Sequence, residues 1–374
     1  MNLSELPTPA LVLDVARVRR NAERMRTRVE HLGARLRPHI KTHKCAEVAR
    51  LQTSGRSAAL TVSTLAEARW FAERGFTDLT YAVPIEPGKF ADAIELARDC
   101  ERLALLTDDV GIPAQLDAAA RAADVKLDLF LKVDCGYHRC GVEPETREAF
   151  EIPRRISDAS HLRFAGILTH AGHSYHSRSL DELQGIARHE RDVMVEFAAA
   201  LRAAGIAVPI VSVGSTPTIS TVENLAGVDE ARPGNYIFFD AFQATLGSCR
   251  FEDCALTVLS SVVHRDAARR KVVIDAGAIA LSKDRGAADI DPTCGYGRVL
   301  DVEGRDLDLR VTSLSQEHGM IEATNDDALF DQLKVGTRLR ILANHSCLTA
   351  AQHPHYNVLD AGRIVDRWQI QRGW

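Results

Sequence analysis

The stretch RLRPHIKTHK, residues 35–44, alternates like a buried strand as far as Ile40 and then presents Lys41, Thr42, His43 and Lys44 in a row. A lysine where a buried strand ends is unfavourable unless its amine is neutral or bonded to something. The stretch holds the first of eight short apolar runs: 36–40, 58–63, 78–83, 103–107, 126–134, 162–170, 209–214 and 231–240. Amphipathic segments such as STLAEARWFAERG (63–75) separate them, and Thr64 followed by Glu67 has the spacing of a capping box. Eight consecutive strand–helix units predict an α/β fold, a (β/α)8 TIM-like barrel, ahead of the competing doubly wound open sheet.

Beyond residue 245 the pattern changes to strand-like pieces joined by turns, ending in NVLDAGRIVDRWQI (357–370), with almost no helical period. A barrel over 15–244 and a C-terminal β-domain over 245–374 are expected. The early strand in 1–14 is assigned to the β-domain, leaving the barrel as an insertion. A site is expected where the C-terminal ends of the barrel strands meet the β-domain.

Composition excludes several classes of function. With 46 Lys and Arg against 51 Asp and Glu, the net charge of −5 argues against a nucleic-acid or acidic-membrane surface. No apolar run is long enough for a membrane-spanning helix, and no export signal is read at the start. Eight scattered cysteines make neither a dense disulfide framework nor a zinc finger and suit a reducing cytoplasm.

Five strand ends carry polar groups. Lys41 follows the first strand, Asp134, His138 and Arg139 the fifth, and His170, His173 and Tyr175 the sixth. Gly214, Ser215, Thr216 and Thr218 follow the seventh, and Arg232, Gly234, Asn235 and Tyr236 enter the eighth. Residues 214–218 read either as a plain helix-capping turn or as a phosphate cradle of small residues and hydroxyls. They lack the lysine and spacing of a nucleotide P-loop. A phosphate anchor together with a reactive lysine is what pyridoxal phosphate requires. Near the other end, His345 and Cys347 are two apart, so on a strand both would face one way and form half of a metal site with open positions. The alternative is a structural histidine beside a buried thiol.

The pieces TPALVLD (8–14), RPHIKTHK (37–44), TVSTLAEA (61–68), DCGYHRCG (134–141), GILTHAGHSY (166–175), VSVGSTPT (211–218), RPGNYIFFD (232–240), SQEHG (315–319) and NHSCLTA (344–350) span the chain. Together they resemble the D-threonine aldolase and D-serine dehydratase family of pyridoxal-phosphate enzymes, which have the alanine-racemase-type fold. The resemblance implies that Lys41 bonds the cofactor as a Schiff base and that Arg139 approaches its phenolic oxygen. It places the phosphate near Ser215, Thr216, Gly234, Asn235 and Tyr236, and Tyr175 near substrate and cofactor. His345 and Cys347 would hold a divalent metal, usually zinc, with manganese, cobalt or magnesium as alternatives. A homodimer is implied as well.

Both reactions of the family begin from a small D-3-hydroxy amino acid. Dehydration removes the α-proton and the hydroxyl, giving a 2-oxo acid and ammonia; the aldolase cleaves the Cα–Cβ bond to glycine and an aldehyde. The family's dehydratases have H-x-C, as here, and its aldolases tend to have aspartate in the second position, so a dehydratase is expected. THAGHSY, SKDRG (282–286) and RWQIQRGW (367–374) resemble most the branch acting on D-threo-3-hydroxyaspartate, with D-serine also open. A second substrate carboxylate calls for a cationic or donor-rich partner, with His138, His173 and Arg285 as candidates. A non-enzymatic role in cofactor homeostasis is disfavoured by the β-domain and its metal pair.

Other residues carry bland alternatives. His43 either orients Lys41 or lies exposed in a turn, and His170 is functional or simply packed. Glu317 and His318 either back the metal pair or form a turn ending at Gly319. Cys135 and Cys140 read as packing thiols, Trp368 and Trp374 as C-terminal anchors, and Asp275 as a turn residue.

Overall fold

The computed structural model describes residues 1–55, 59–322 and 326–374, so the first residue of the predicted run 58–63 lies outside the described residues. The chain opens with β1 (Ala10–Asp14) and a helix, Val15–His31. Eight parallel strands follow: β2 (Arg35–Leu36), β3 (Leu60–Val62), β4 (Asp78–Tyr81), β5 (Arg102–Thr107), β6 (Leu127–Lys132), β7 (Leu162–Leu168), β8 (Val211–Val213) and β9 (Glu230–Ala231). Their order is β2-β9-β8-β7-β6-β5-β4-β3. A further parallel bridge between His39 and Thr61 joins the two ends, with the Thr61 N–H donating to the Pro38 carbonyl at 2.9 Å. Closure and the cyclic order exclude the open doubly wound sheet.

Helices follow the strands, among them Leu65–Ala72 after β3 and Leu180–Ala203 after β7. Thr64 caps the first by accepting from the Glu67 N–H at 3.0 Å. The Glu67 carboxylate reaches back to the Ser63 N–H instead of the cap's own, so only half of the capping box forms. Two predicted strands are shorter than expected. Pro38 and Pro233 have no N–H for a ladder, and the chain turns in 3-10 geometry at Ile40–Thr42 and Asn235–Ile237.

Alternating charges line the N-terminal end of the barrel. The Arg37 guanidinium donates to Glu230 at 2.6 Å and Asp78 at 2.9 Å, and Asp128 accepts from Arg102 and Arg163, both at 2.6 Å. Arg102 also lies 3.8 Å from Asp78, completing a chain of charges from β9 to β7. Arg37 and Glu230 are almost fully buried, so Arg37→Leu is expected to cost about 3–5 kcal/mol, read as a lower urea midpoint. Burial would raise Glu230, but Arg37 and then Arg232 outweigh it and hold the carboxyl below its ordinary 4.5. The Arg37 contribution should therefore be full above pH 4.5 and shrink as Glu230 protonates below it.

The second sheet contains β1 and eight later strands: β10 (Leu256–Asp266), β11 (Lys271–Ile274), β12 (Gly297–Leu300), β13 (Asp306–Leu314), β14 (Gly319–Glu322), β15 (Arg338–Ala343), β16 (His355–Asp360) and β17 (Arg363–Gln369). The order is β11-β14-β13-β12-β15-β10-β1-β16-β17, and β11 also pairs with β10, closing six of them on themselves. β1 lies between β10, antiparallel, and β16, parallel. The sequence pattern missed the short helices Ala278–Leu281, Asp327–Gln332 and Ser346–Gln352, which are too brief to show a 3.6-residue period.

By contacts the chain forms two compact units. One comprises Arg24–Lys41, Gln52–Gly234 and Gly373–Trp374 and contains the barrel; the other comprises Met1–Glu23, Thr42–Leu51 and Asn235–Arg372 and contains the second sheet. Among the described residues no helix is long and apolar enough to cross a membrane.

Candidate active site

In the barrel unit, Lys41 is half-buried in the turn after β2, and its N–H donates to His39 Nδ1 at 3.4 Å. The loop after β6 is organised by Asp134, whose Oδ1 accepts the N–H groups of Gly136, Tyr137 and His138 at 2.8, 2.9 and 3.1 Å. Burial opposes ionisation of Asp134, but these donors hold it below its usual range. The turn presents Tyr137 under the Arg139 guanidinium, 5.0 Å from the ring centroid, and His138 lies 3.2 Å from Asp134. Burial first, then the charges of Lys41, Lys132 and Arg139, push His170 well below 6.5, so it is neutral at pH 7. Its Nδ1 lies 3.2 Å from the Gly214 carbonyl. Three cations thus act together at the C-terminal end of the barrel strands. Lys132, the last residue of β6, went unnoticed in the sequence.

Ser215 caps the helix Thr216–Thr221, with its Oγ accepting the Thr218 N–H at 3.3 Å, so the capping turn is real. Buried Glu190 ties this turn to the preceding loop. It accepts from the N–H groups of Ala171 at 2.9 Å and Gly214 at 3.1 Å and from the Thr218 hydroxyl at 2.8 Å. Gly214 has φ +117°, and a Cβ there would meet the Arg232 nitrogen at 3.2 Å, so glycine is required. Arg232 is buried and donates to the Ser212 hydroxyl and the Thr169 carbonyl. Thr216 and Gly234 are buried, and Tyr175 is half-buried in the 3-10 turn Gly172–His176.

The second unit holds the other cluster, with one correction. His345 and Cys347 do not share a strand: β15 ends at Ala343, His345 is the N-cap of Ser346–Gln352, and Cys347 is in its first turn. The two side chains nevertheless act on each other electrostatically. The Cys347 Sγ also lies 3.2 Å from the hydroxyl of Thr42, the residue after Lys41, and accepts from Asn235 Nδ2 at 3.5 Å. Asn235 further donates to Asp240 at 2.7 Å and to Ser346 Oγ at 3.1 Å, while its buried Oδ1 has no partner. Tyr236 is fully buried in the same turn. Burial raises Cys347, but His345 and Thr42 outweigh it and lower the thiol; His345 is correspondingly held above its usual value despite burial.

Asp284 was not foreseen. Its Oδ2 lies 2.6 Å from His345 Nδ1, fixing the ring and leaving Nε2 as the nitrogen able to bind a metal. Asp284→Asn is expected to weaken metal affinity by about 10–100-fold, measured by competition with a chelator.

The remaining candidates resolve as follows. His43 is buried, with Nδ1 accepting from the Cys45 N–H at 3.1 Å and its carbonyl from the Tyr356 hydroxyl at 2.7 Å, so it is neither exposed nor shown to orient Lys41. Residues 315–318 close a turn, with the Ser315 N–H donating to the His318 carbonyl at 2.9 Å, and Glu317 and His318 are exposed. Asp275 accepts from Ser260, Ser261 and Thr8, a structural tie. Cys135 is buried and pushed up to about 12 by that burial, as suits a packing thiol. Trp374 is 99% exposed and anchors nothing. Arg285 is exposed and donates to the Pro292 carbonyl at 2.7 Å.

These donor sets fit the two groups the resemblance implies. The barrel unit offers the Lys41 amine, the Arg139 guanidinium and the helix start at Thr216, which suits a phosphorylated aldehyde. The second unit offers imidazole and a lowered thiol at the start of one helix, with a carboxylate behind the imidazole. Among the described residues no group of three or more His, Cys, Asp or Glu is arranged to hold an ion.

Comparison with known proteins agrees. A family model for the alanine racemase N-terminal domain matches residues 13–241, and one for a serine dehydratase domain matches residues 255–359. D-threo-3-hydroxyaspartate dehydratase of Delftia sp. (strain HT23) is 41% identical over 377 residues, covering 100% of this chain and 99% of that protein. Its solved structure superposes with a TM-score of 0.96 at 40% identity, covering 100% of both chains. A cysteine-to-alanine mutant of D-threo-3-hydroxyaspartate dehydratase, solved in a metal-free form, has the same TM-score and points to a metal in such enzymes. D-serine dehydratase of Dictyostelium discoideum is 34% identical, covering 100% of this chain and 98% of that protein. A 3-hydroxy-D-aspartate aldolase of Paracoccus denitrificans (strain Pd 1222) is 31% identical, covering 99% of this chain and 93% of that protein. With full-length matches of this strength, the chain belongs to the family that joins an alanine racemase N-terminal domain to a serine dehydratase domain, which includes D-threo-3-hydroxyaspartate dehydratase and D-serine dehydratase.

Proposed function

We propose that this chain is a pyridoxal-phosphate- and divalent-metal-dependent dehydratase, a carbon–oxygen lyase that converts a D-3-hydroxy amino acid to a 2-oxo acid and ammonia. The substrates are D-threo-3-hydroxyaspartate, D-serine or both. The observation that carries this reading is the His345–Cys347 pair backed by Asp284, with a thiol where the family's aldolases tend to have a carboxylate. Full-length similarity to two dehydratases supports it.

In this reading residues 15–244 form the cofactor-binding barrel, and 1–14 with 245–374 form the domain carrying the metal. Lys41 bonds the cofactor, Arg139 faces its phenolic oxygen, and Ser215, Thr216, Gly234, Asn235 and Tyr236 receive its phosphate. His345 and Cys347 hold the metal, which is zinc, with manganese, cobalt and magnesium as substitutes. When bound, the pyridine ring supplies an electron sink for the α-carbon and the metal a Lewis acid for the departing hydroxyl. The Lys41 amine takes the α-proton as general base. Tyr175 lies against the substrate, and Asp284 keeps the His345 ring oriented. The enzyme works as a cytoplasmic homodimer.

A second reading, cleavage to glycine and an aldehyde, is favoured by the similarity to an aldolase. Incubation of the cofactor- and metal-loaded protein with D-threo-3-hydroxyaspartate, D-serine and D-threonine separates them. Ammonia with an equimolar 2-oxo acid, abolished by a chelator, is expected. Glycine with an aldehyde would replace this reading by the aldolase.

A further inference from the structure

Lys132 is a buried cation to which neither the fold nor the proposed chemistry gives a task. Asp128, Phe130 and Lys132 alternate onto one face of β6. Asp128 binds Arg102 of β5 and Arg163 of β7, and Phe130 packs with Ala104, Leu106, Ala165 and Leu168 of the same two strands. That face is the barrel interior, and Lys132 stands at its C-terminal end, where barrel enzymes bind their substrates. The side chain is 5% exposed. Its amine has three donors, and its hydrogen bond is a long one of 3.4 Å to the Val133 carbonyl.

The surroundings favour an anionic partner. Among the described residues no carboxylate pairs with Lys132, while the charges of Arg232 and Arg139 act on it. Burial, then Arg232, pull the amine down to about 8. The carboxylates of the neighbouring loops are engaged elsewhere: Asp134 by three backbone donors and Glu190 by Ala171, Gly214 and Thr218. Arg232, the other buried interior cation here, is already bonded to Ser212 and Thr169. Of the three candidates considered for a second substrate carboxylate, His138 faces Asp134 and Arg285 donates to Pro292, while His173, its buried Nδ1 without a partner among the described residues, is held below 6.5 chiefly by burial and offers no full charge.

Resting on the dehydratase reading, we propose that Lys132 binds the second carboxylate of a dicarboxylic D-3-hydroxy amino acid and so selects 3-hydroxyaspartate over D-serine. D-Serine places no anion beside this amine, whereas the dicarboxylate offsets its burial with a charge-assisted hydrogen bond. The α-carboxylate is common to both substrates and does not discriminate.

The test compares wild type with Lys132→Met, of similar volume and uncharged, as cofactor- and metal-loaded proteins. KM for D-threo-3-hydroxyaspartate is expected to rise by about 30-fold or more, with kcat/KM for D-serine held within about 3-fold. Calorimetric titration gives a readout independent of turnover. Wild type should bind succinate more tightly than butyrate, and the variant should lose that preference. Equal losses on both substrates, or an unchanged succinate preference, would overturn the proposal. Lys132→Gln repeats the measurement if the methionine variant does not fold. Should wild type release no ammonia from either substrate, the dehydratase reading fails, and the succinate and butyrate titrations still decide the role of Lys132.

Discussion

Lys41→Ala is expected to give a folded protein that no longer retains pyridoxal phosphate after borohydride reduction and whose kcat falls by at least about 10³-fold. The amine serves twice in the proposed chemistry, as the cofactor's anchor and as the base for the α-proton, so its removal costs both functions. The fold should survive because the barrel ladder is made by the backbone of β2 and by His39, and Lys41 lies beyond both. Lys44→Ala is the control. Lys44 sits three residues on at φ 48° and should keep full covalent retention of the cofactor. A Lys41→Ala protein that still retains the cofactor covalently would assign the anchor to another lysine.

His345→Ala and Cys347→Ala are each expected to abolish stoichiometric metal binding and to lower kcat by roughly 10³-fold, because hydroxide leaves poorly without a Lewis acid. Metal content by atomic spectroscopy should fall from about one equivalent to under a tenth, since a site with two protein ligands cannot hold an ion on one. Cofactor retention at Lys41 should persist in both variants, which separates loss of the metal from loss of the fold. If either variant kept both metal and rate, His345 and Cys347 would be a structural pair, the bland alternative.

Most of the barrel was legible because each strand is a short apolar run followed by an amphipathic helix, and both periods are written locally. What was not legible came from three physical sources. Prolines at 38 and 233 removed ladder donors from runs that otherwise read as strands, so β2 and β9 have two residues each. The helix that carries Cys347 has only seven residues, too few to declare a helical period, and its residues read as strand continuing from β15. The side chains that support the site are distant in sequence. Asp284 meets His345 across 61 residues, and Glu190 meets Gly214 across 24, so no local motif announces them. Lys132 was visible in LDLFLK, since a lysine in register with an interior aspartate and phenylalanine must point into the barrel.

The placement of β1 bears on how the chain is made. This strand lies between β10, whose pairing residues begin at Leu256, and β16, which begins at His355. On a ribosome adding about 5–20 residues per second, β1 emerges on the order of ten seconds or more before either neighbour exists. Throughout that interval its apolar residues Leu11, Val12 and Leu13, all nearly inaccessible in the finished protein, have no native strand to pair with. The barrel sequence is translated in the same interval and can begin to fold. The final sheet therefore depends on a strand that stays without its native neighbours until β10 and β16 have been made.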